Sequence, residues 1–151
     1  MSVGRLCVRE VDVAHRDESV WHGAERMHQR SVGTLVVVDS DRRPVGIVTD
    51  RDLVERVIAK NLDYHLTTLD AVMTPDPATI HEAAPIEAAV KMMRGGRFRR
   101  IPVVNDEGEL VGLLSLDDVL MLLAEEFHDI GVLLNRETPR GMAQEACTSA
   151  P

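Results

Sequence analysis

Aromatic residues are scarce in this chain. One Trp, one Tyr and two Phe occur among 151 residues, so Trp21, Tyr64, Phe98 and Phe127 are its whole stock of flat rings. A stacking platform for single-stranded nucleic acid needs more. Basic residues are also in the minority. Seventeen Lys and Arg against twenty-five Asp and Glu leave a net charge of −8, the wrong balance for gripping a polyanion. Only two cysteines are present, Cys7 and Cys147. They form neither a disulfide framework nor a metal-ligand spacing, and both read as reduced thiols, with Cys7 a small buried residue. No apolar run approaches the roughly 18–20 residues of a membrane span. Met1 to Asp12 lacks the apolar stretch of a signal peptide. The expectation is a soluble cytoplasmic protein that binds neither membrane nor nucleic acid.

Motifs of catalysis are missing too. The six histidines, at 15, 22, 28, 65, 81 and 128, show no H-E-x-x-H spacing. There is no P-loop and no G-x-G-x-x-G. The expectation is therefore a non-enzyme, with no catalytic and no metal-ligating residues.

What the chain has is aliphatic residues and a repeat. Hydrophobic residues make up 44%, including seven Met, enough for a packed core. Sliding the sequence by 66 residues aligns Gly33–Leu53 with Arg99–Val119 without a gap. Val37 meets Val103, Val38 meets Val104, Val45 meets Val111, Gly46 meets Gly112 and Asp52 meets Asp118. The register extends from about Cys7/Met73 to Val57/Leu123.

Each copy carries the same order of elements. Apolar spacing predicts helices over Ser19–Gln29 and Pro85–Met93. Leu35–Val38 and Ile101–Val104 read as buried strands. Turn residues follow, Asp39 to Arg42 and Asn105 to Gly108. Val45–Val48 and Val111–Leu114 pair back as second strands. Thr49 and Ser115 then cap closing helices over about Asp50–Ala59 and Leu116–Leu134. Residues 5–60 form the first unit, 61–70 a connection and 71–135 the second unit. Residues 136–151 form a disordered tail, polar and without periodicity. One such unit cannot cover its own small sheet, whereas two packed together share a core.

G-I-V-T-D-R-D-L at Gly46–Leu53 and G-L-L-S-L-D-D-V at Gly112–Val119 resemble the signature of the CBS (cystathionine beta-synthase) domain. V-M-T-P-D-P at Val72–Pro77 and R-R-I-P-V-V at Arg99–Val104 do so as well. Two such motifs in tandem form a Bateman module. The resemblance implies an α+β fold: two pseudo-symmetric β-α-β-β-α units packed sheet to sheet. It also implies two clefts that take adenosyl ligands: AMP, ADP, ATP, S-adenosylmethionine or NAD(H). No obligatory cofactor is implied. Family members commonly pair through their helices, and the apolar closing helix, from Val119 through Phe127 to Leu133, fits a homodimer. The implied role is a non-catalytic sensor acting on an effector protein that the sequence does not name. The alternative is a ligand-free homodimeric interaction module acting on a partner protein.

Residue by residue, the resemblance makes Asp52 and Asp118 the ribose-binding positions. Thr49 and Ser115 then lie near ribose or phosphate, where hydroxyls and free N–H groups of a first helical turn suit oxygen ligands. The other reading of each Asp is a complement to the helix dipole. Arg97, Arg99 and Arg100 cluster before a strand. Arg100 holds the family's phosphate-contacting position, and a planar guanidinium fork suits phosphate; a solvated basic strand edge is the alternative. The first copy has Thr34 and Val36 where the second has Arg100 and Pro102, so the two clefts are expected to differ. Adenine is expected in an aliphatic slot. Its positions by family resemblance are Val13 and Ala14, Thr79 and Ile80, and Ile47 and Leu113; each is also an ordinary core position. Asp117 beside Asp118 adds negative charge, favouring fewer phosphates or an accompanying cation such as magnesium.

Overall fold

The computed structural model describes residues 1–96 and 98–137, with side chains to 135. Arg97, Cys147 and residues 138–151 of the expected tail lie outside the described residues, while residues 136 and 137, expected in that tail, end the closing helix instead. The chain divides into two compact units, Met1–Leu116 and a second beginning at Asp117.

The first unit contains two small sheets. It opens with a short helix α1 (Val3–Leu6), strand β1 (Val13–Ala14), helix α2 (Val20–Arg30) and strands β2 (Thr34–Val38) and β3 (Pro44–Thr49). A helical turn α3 (Asp50–Leu53) runs on into a π-helical segment, Val54–Ile58. Then come α4 (Leu69–Val72), β4 (Thr74–Pro75), β5 (Ile80–His81), α5 (Ile86–Gly96), β6 (Arg100–Val104) and β7 (Leu110–Ser115). Helix α6 (Leu116–Glu137) follows. The strands run in the order β1-β2-β3-β4 in one sheet and β5-β6-β7 in the other.

The expected helices and strands form, with ends moved by a few residues. Helix α2 starts at Val20 because Ser19 caps it: its hydroxyl accepts the His22 N–H at 3.3 Å. The first closing helix is not uniform. It changes from α to π at Val54, where the Ala59 N–H reaches five residues back to the Val54 carbonyl at 2.9 Å.

The repeat is realised bond for bond. Val37 pairs with Gly46, and Val103 with Gly112. Ala14 lies opposite Val37 in a parallel pair, as Ile80 lies opposite Val103. Both hairpins carry an irregularity at the same place, Val37/Val38 and Val103/Val104.

The halves also exchange chain. Thr74 and Pro75 of β4 pair with Ile47 and Gly46 of the first half's β3. In return Val8 bridges to Leu113 on β7 of the second half. Val3 and Gly4 donate to the Ala84 and Glu82 carbonyls at 2.8 Å, while Leu69 and Asp70 donate to those of Glu18 and Arg16 at 2.8 and 3.0 Å. Each half thus lends its leading segment to its neighbour: the first sheet gains its fourth strand, and the second an isolated bridge at its edge. Gly46 and Gly112 permit this exchange. A Cβ on Gly46 would strike the Met73 sulfur, and one on Gly112 the Cys7 sulfur. Cys7 is buried, as expected.

The core is aliphatic. Leu35, Val37, Val48 and Leu69 are fully buried in the first half, with Met27 and Met73 beside them. The outward faces of β2 and β7 meet through a second cluster, Val36, Val38 and Leu110. That cluster joins sheet to sheet. Each fully buried valine or leucine there contributes about 1.5–3 kcal/mol.

Candidate functional site

A cleft of about 330 Å³ opens in the first unit. Ile47 of β3, the segment Thr74–Ala78, and Phe98 and Arg100 at the start of β6 line it. Strand exchange creates it: β4 of one half lies on β3 of the other, and the chain then turns toward β5. Pro75 and Pro77 stiffen that turn, and between them Asp76 takes a left-handed backbone (φ 47°) with its N–H on the Val45 carbonyl at 3.1 Å.

Of the expected site residues, this cleft brings together Ile47 and Arg100. Arg100 is exposed and lies opposite Ser115 in the β6–β7 register. Ser115 ends β7, immediately before α6, and Asp118 follows three residues later on that helix. Arg99 is exposed and its carbonyl accepts the Leu116 N–H at 2.8 Å. Arg99, Ser115 and Asp118 are each already engaged by a neighbour. Thr79 is exposed just before β5, and Ile80 is buried within it. Ala14 is fully buried in β1.

The offset partner of this cleft is built differently. Val11, Val13 and Leu113 pack onto the Val36, Val38 and Leu110 cluster. At the corresponding places of the other half stand Pro77, Thr79, Ile47, Pro102, Val104 and Pro44, and there Ile47 and Pro77 face open space instead. Thr34, the counterpart of Arg100, is buried at 6% exposure. Its hydroxyl is the buried side-chain polar atom without a partner among the described residues. Asp12, the counterpart of Ala78, is held by Arg30 at 2.9 Å. The two places therefore differ in the packing of their residues as well as in charge.

Thr49 and Asp52 form a capping box. Asp52 Oδ2 accepts the Thr49 N–H and the Thr49 hydroxyl, each at 2.9 Å, and the Thr49 hydroxyl accepts the Asp52 N–H at 3.2 Å. The other Asp52 oxygen pairs with Arg56 at 3.0 Å. All these donors come from the chain itself, so Asp52 does more than complement the helix dipole: it closes a capping box with Thr49. Arg56 reaches further, to the Val72 carbonyl at 2.7 Å and the Thr74 hydroxyl at 3.0 Å. It ties Asp52 to the strand that walls the open cleft. The other internal strut is Glu18–Arg26, at 2.6 Å, with Arg26 also donating to the Val13 carbonyl at 2.7 Å. Burial works to raise the Glu18 pKa, but Arg26 and the His15 N–H more than offset it and hold the carboxyl below its usual range.

Phe98 and Asp76 are cleft residues that sequence reasoning missed. An all-aliphatic slot was expected, yet one of the few rings lines the cleft and folds back over Gly96. The nearness of Phe98 in sequence to Arg100 was the available signal. Among the described residues no group of three or more His, Cys, Asp or Glu is placed to hold a metal.

A family model described as "CBS domain" matches residues 3–59 and 69–125. The chain belongs to the CBS-domain family. Among solved structures, the CBS domain protein PAE2072 from Pyrobaculum aerophilum, complexed with AMP, is 28% identical with a TM-score of 0.73, over 83% of this chain and 99% of that one. The CBS domain pair of protein MJ0100, in complex with 5′-methylthioadenosine and S-adenosyl-L-methionine, is 25% identical with a TM-score of 0.73, over 82% and 99%. Among curated proteins, MK0525 from Methanopyrus kandleri is 30% identical over 122 residues, which is 81% of this chain and 62% of that protein. An inosine-5′-monophosphate dehydrogenase from Methanocaldococcus jannaschii is 31% identical over 76% of this chain, but the match spans only 22% of that enzyme. The paired α+β architecture that the resemblance implies is the one these relatives share. CBS pairs are in general regulatory rather than catalytic modules. No helix among the described residues is long and apolar enough to cross a membrane.

Proposed function

We propose that this chain is a non-catalytic regulatory module that binds an adenosyl ligand in the cleft between β4 and β6. The observation that carries this reading is the cleft itself. It has apolar walls, one ring for a purine, and Arg100 at its edge for an anionic group. The AMP and S-adenosyl-L-methionine complexes of relatives support it. Asp118 is the carboxylate the family pattern assigns to the ribose, with Ser115 beside it in sequence. The ligand would act by favouring one of two packings of the module or its assembly. Calorimetry with AMP, ADP, ATP, S-adenosyl-L-methionine and NADH tests it, with and without magnesium. At least one ligand binds wild type, and Arg100→Ala and Asp118→Ala each weaken it about tenfold or more. Binding by none of the five rejects the reading.

Self-association is a second, compatible reading, favoured by α6. Leu120, Leu123, Phe127, Ile130 and Leu133 on that helix are all exposed, Phe127 at 70%. An apolar face of this kind fits a second copy of the chain. Light scattering should give twice the chain mass, and Phe127→Glu should return it to one.

A further inference from the structure

The open cleft holds two opposite charges that do not meet. Asp76 and Arg100 both line it. Neither the carboxylate nor the guanidinium takes part in a hydrogen bond or ion pair among the described residues. Elsewhere in the first unit such groups find each other, as in Arg16–Asp70 and Arg30–Asp12, both at 2.9 Å. Asp76 has little freedom to move. Its backbone is left-handed at φ 47°, its N–H is spent on the Val45 carbonyl, and a proline stands on either side. Arg100 is anchored by the β6–β7 ladder. The rest of the lining, Ile47, Pro75, Pro77, Ala78 and Phe98, is apolar, and Thr74 is engaged by Arg56. Arg56 in turn is neutralised by Asp52.

We propose that this cleft selects an adenosyl ligand whose tail carries a cationic and an anionic group together, the chemistry of S-adenosyl-L-methionine. The inference rests on the adenosyl reading above and narrows it. The carboxylate of such a tail meets the Arg100 fork, and its sulfonium or ammonium meets Asp76. A phosphate monoester gains Arg100 but also faces Asp76, whose carboxylate, exposed like Arg100, adds a solvent-screened repulsion. A neutral nucleoside leaves both charges unanswered. The chain's net charge of −8 adds to the preference for a ligand with a positive group.

Calorimetry with three probes on wild type and Asp76→Asn tests this. The probes are S-adenosyl-L-methionine, neutral 5′-methylthioadenosine and anionic AMP. Asn tolerates the left-handed backbone, so the turn survives the substitution; a circular dichroism melt of the variant verifies that. Wild type binds S-adenosyl-L-methionine tightest of the three. Asp76→Asn weakens it about tenfold, tightens AMP, and leaves 5′-methylthioadenosine unchanged. AMP binding to wild type as tightly as S-adenosyl-L-methionine, or a variant that shifts all three probes alike, overturns the charge assignment while leaving the adenosyl site standing. Binding by none of the three overturns the adenosyl reading and this inference with it.

Discussion

Thr34 stands in the first half where the second has Arg100. A buried hydroxyl without a partner costs the desolvation it never recovers, about 1–3 kcal/mol. Valine has nearly its shape, suits a strand and asks for no hydrogen bond. Thr34→Val should therefore raise stability by about 1 kcal/mol, read as a melting temperature about 2–4 °C higher. A lower melting temperature would show that the hydroxyl has a partner in solution. Phe98 makes the opposite point. Composition marked aromatics as rare, but rarity says nothing about where a ring sits, and here it sits on the cleft. Asp52 was legible as a residue and open as a role. Threonine and aspartate three residues apart fit both a helix-dipole complement and a ribose site, and the structure adds a capping box that neither reading named.

At the scale of elements, Arg56 links what the sequence keeps apart. It sits on the π-helical segment of the first half and holds Asp52, the Val72 carbonyl and Thr74 together. Its counterpart at the 66-residue offset is Leu122, which has no donor group to play the same part. Arg56→Ala should lower stability by about 1–2 kcal/mol in a denaturant titration, because Asp52 and the Val72 carbonyl, both partly buried, and the exposed Thr74 hydroxyl lose one donor group. It should also weaken ligand binding, since Thr74 belongs to the cleft wall. Thr74→Val removes a single arm and should lower stability less. Equal losses from the two variants would contradict this account. The change from α to π that positions Arg56 was not legible. Apolar spacing near 3.6 predicted one uniform helix, and a single widened turn does not alter that spacing enough to be read.

At the scale of the molecule, pseudo-symmetry of the backbone coexists with asymmetry of the clefts. Hydrogen bonds repeat across the offset, because strand pairing and chain exchange depend on the backbone and on Gly46 and Gly112. The cleft linings do not repeat, because Val11, Val13 and Leu113 pack onto a buried aliphatic cluster while Pro77 and Ile47, at the places of Val11 and Leu113, line the open cleft. One ligand per chain is therefore the expected calorimetric stoichiometry, and two would contradict it. Thr34→Arg alone should not add a second site, since the valines remain. The sequence by itself determined the repeat, its offset, the aliphatic core, the order of strands and helices, and the Thr34–Arg100 difference. Each of these is a periodicity or a residue identity. Only the tertiary structure decided that each half lends its leading segment to the other, that Arg56 braces the cleft, and that Asp76 and Phe98 line the same cleft as Arg100. The physical reason is distance along the chain. Asp76 and Arg100 are brought to one cleft by strand exchange and sheet packing, and those depend on which surfaces meet, not on any local pattern.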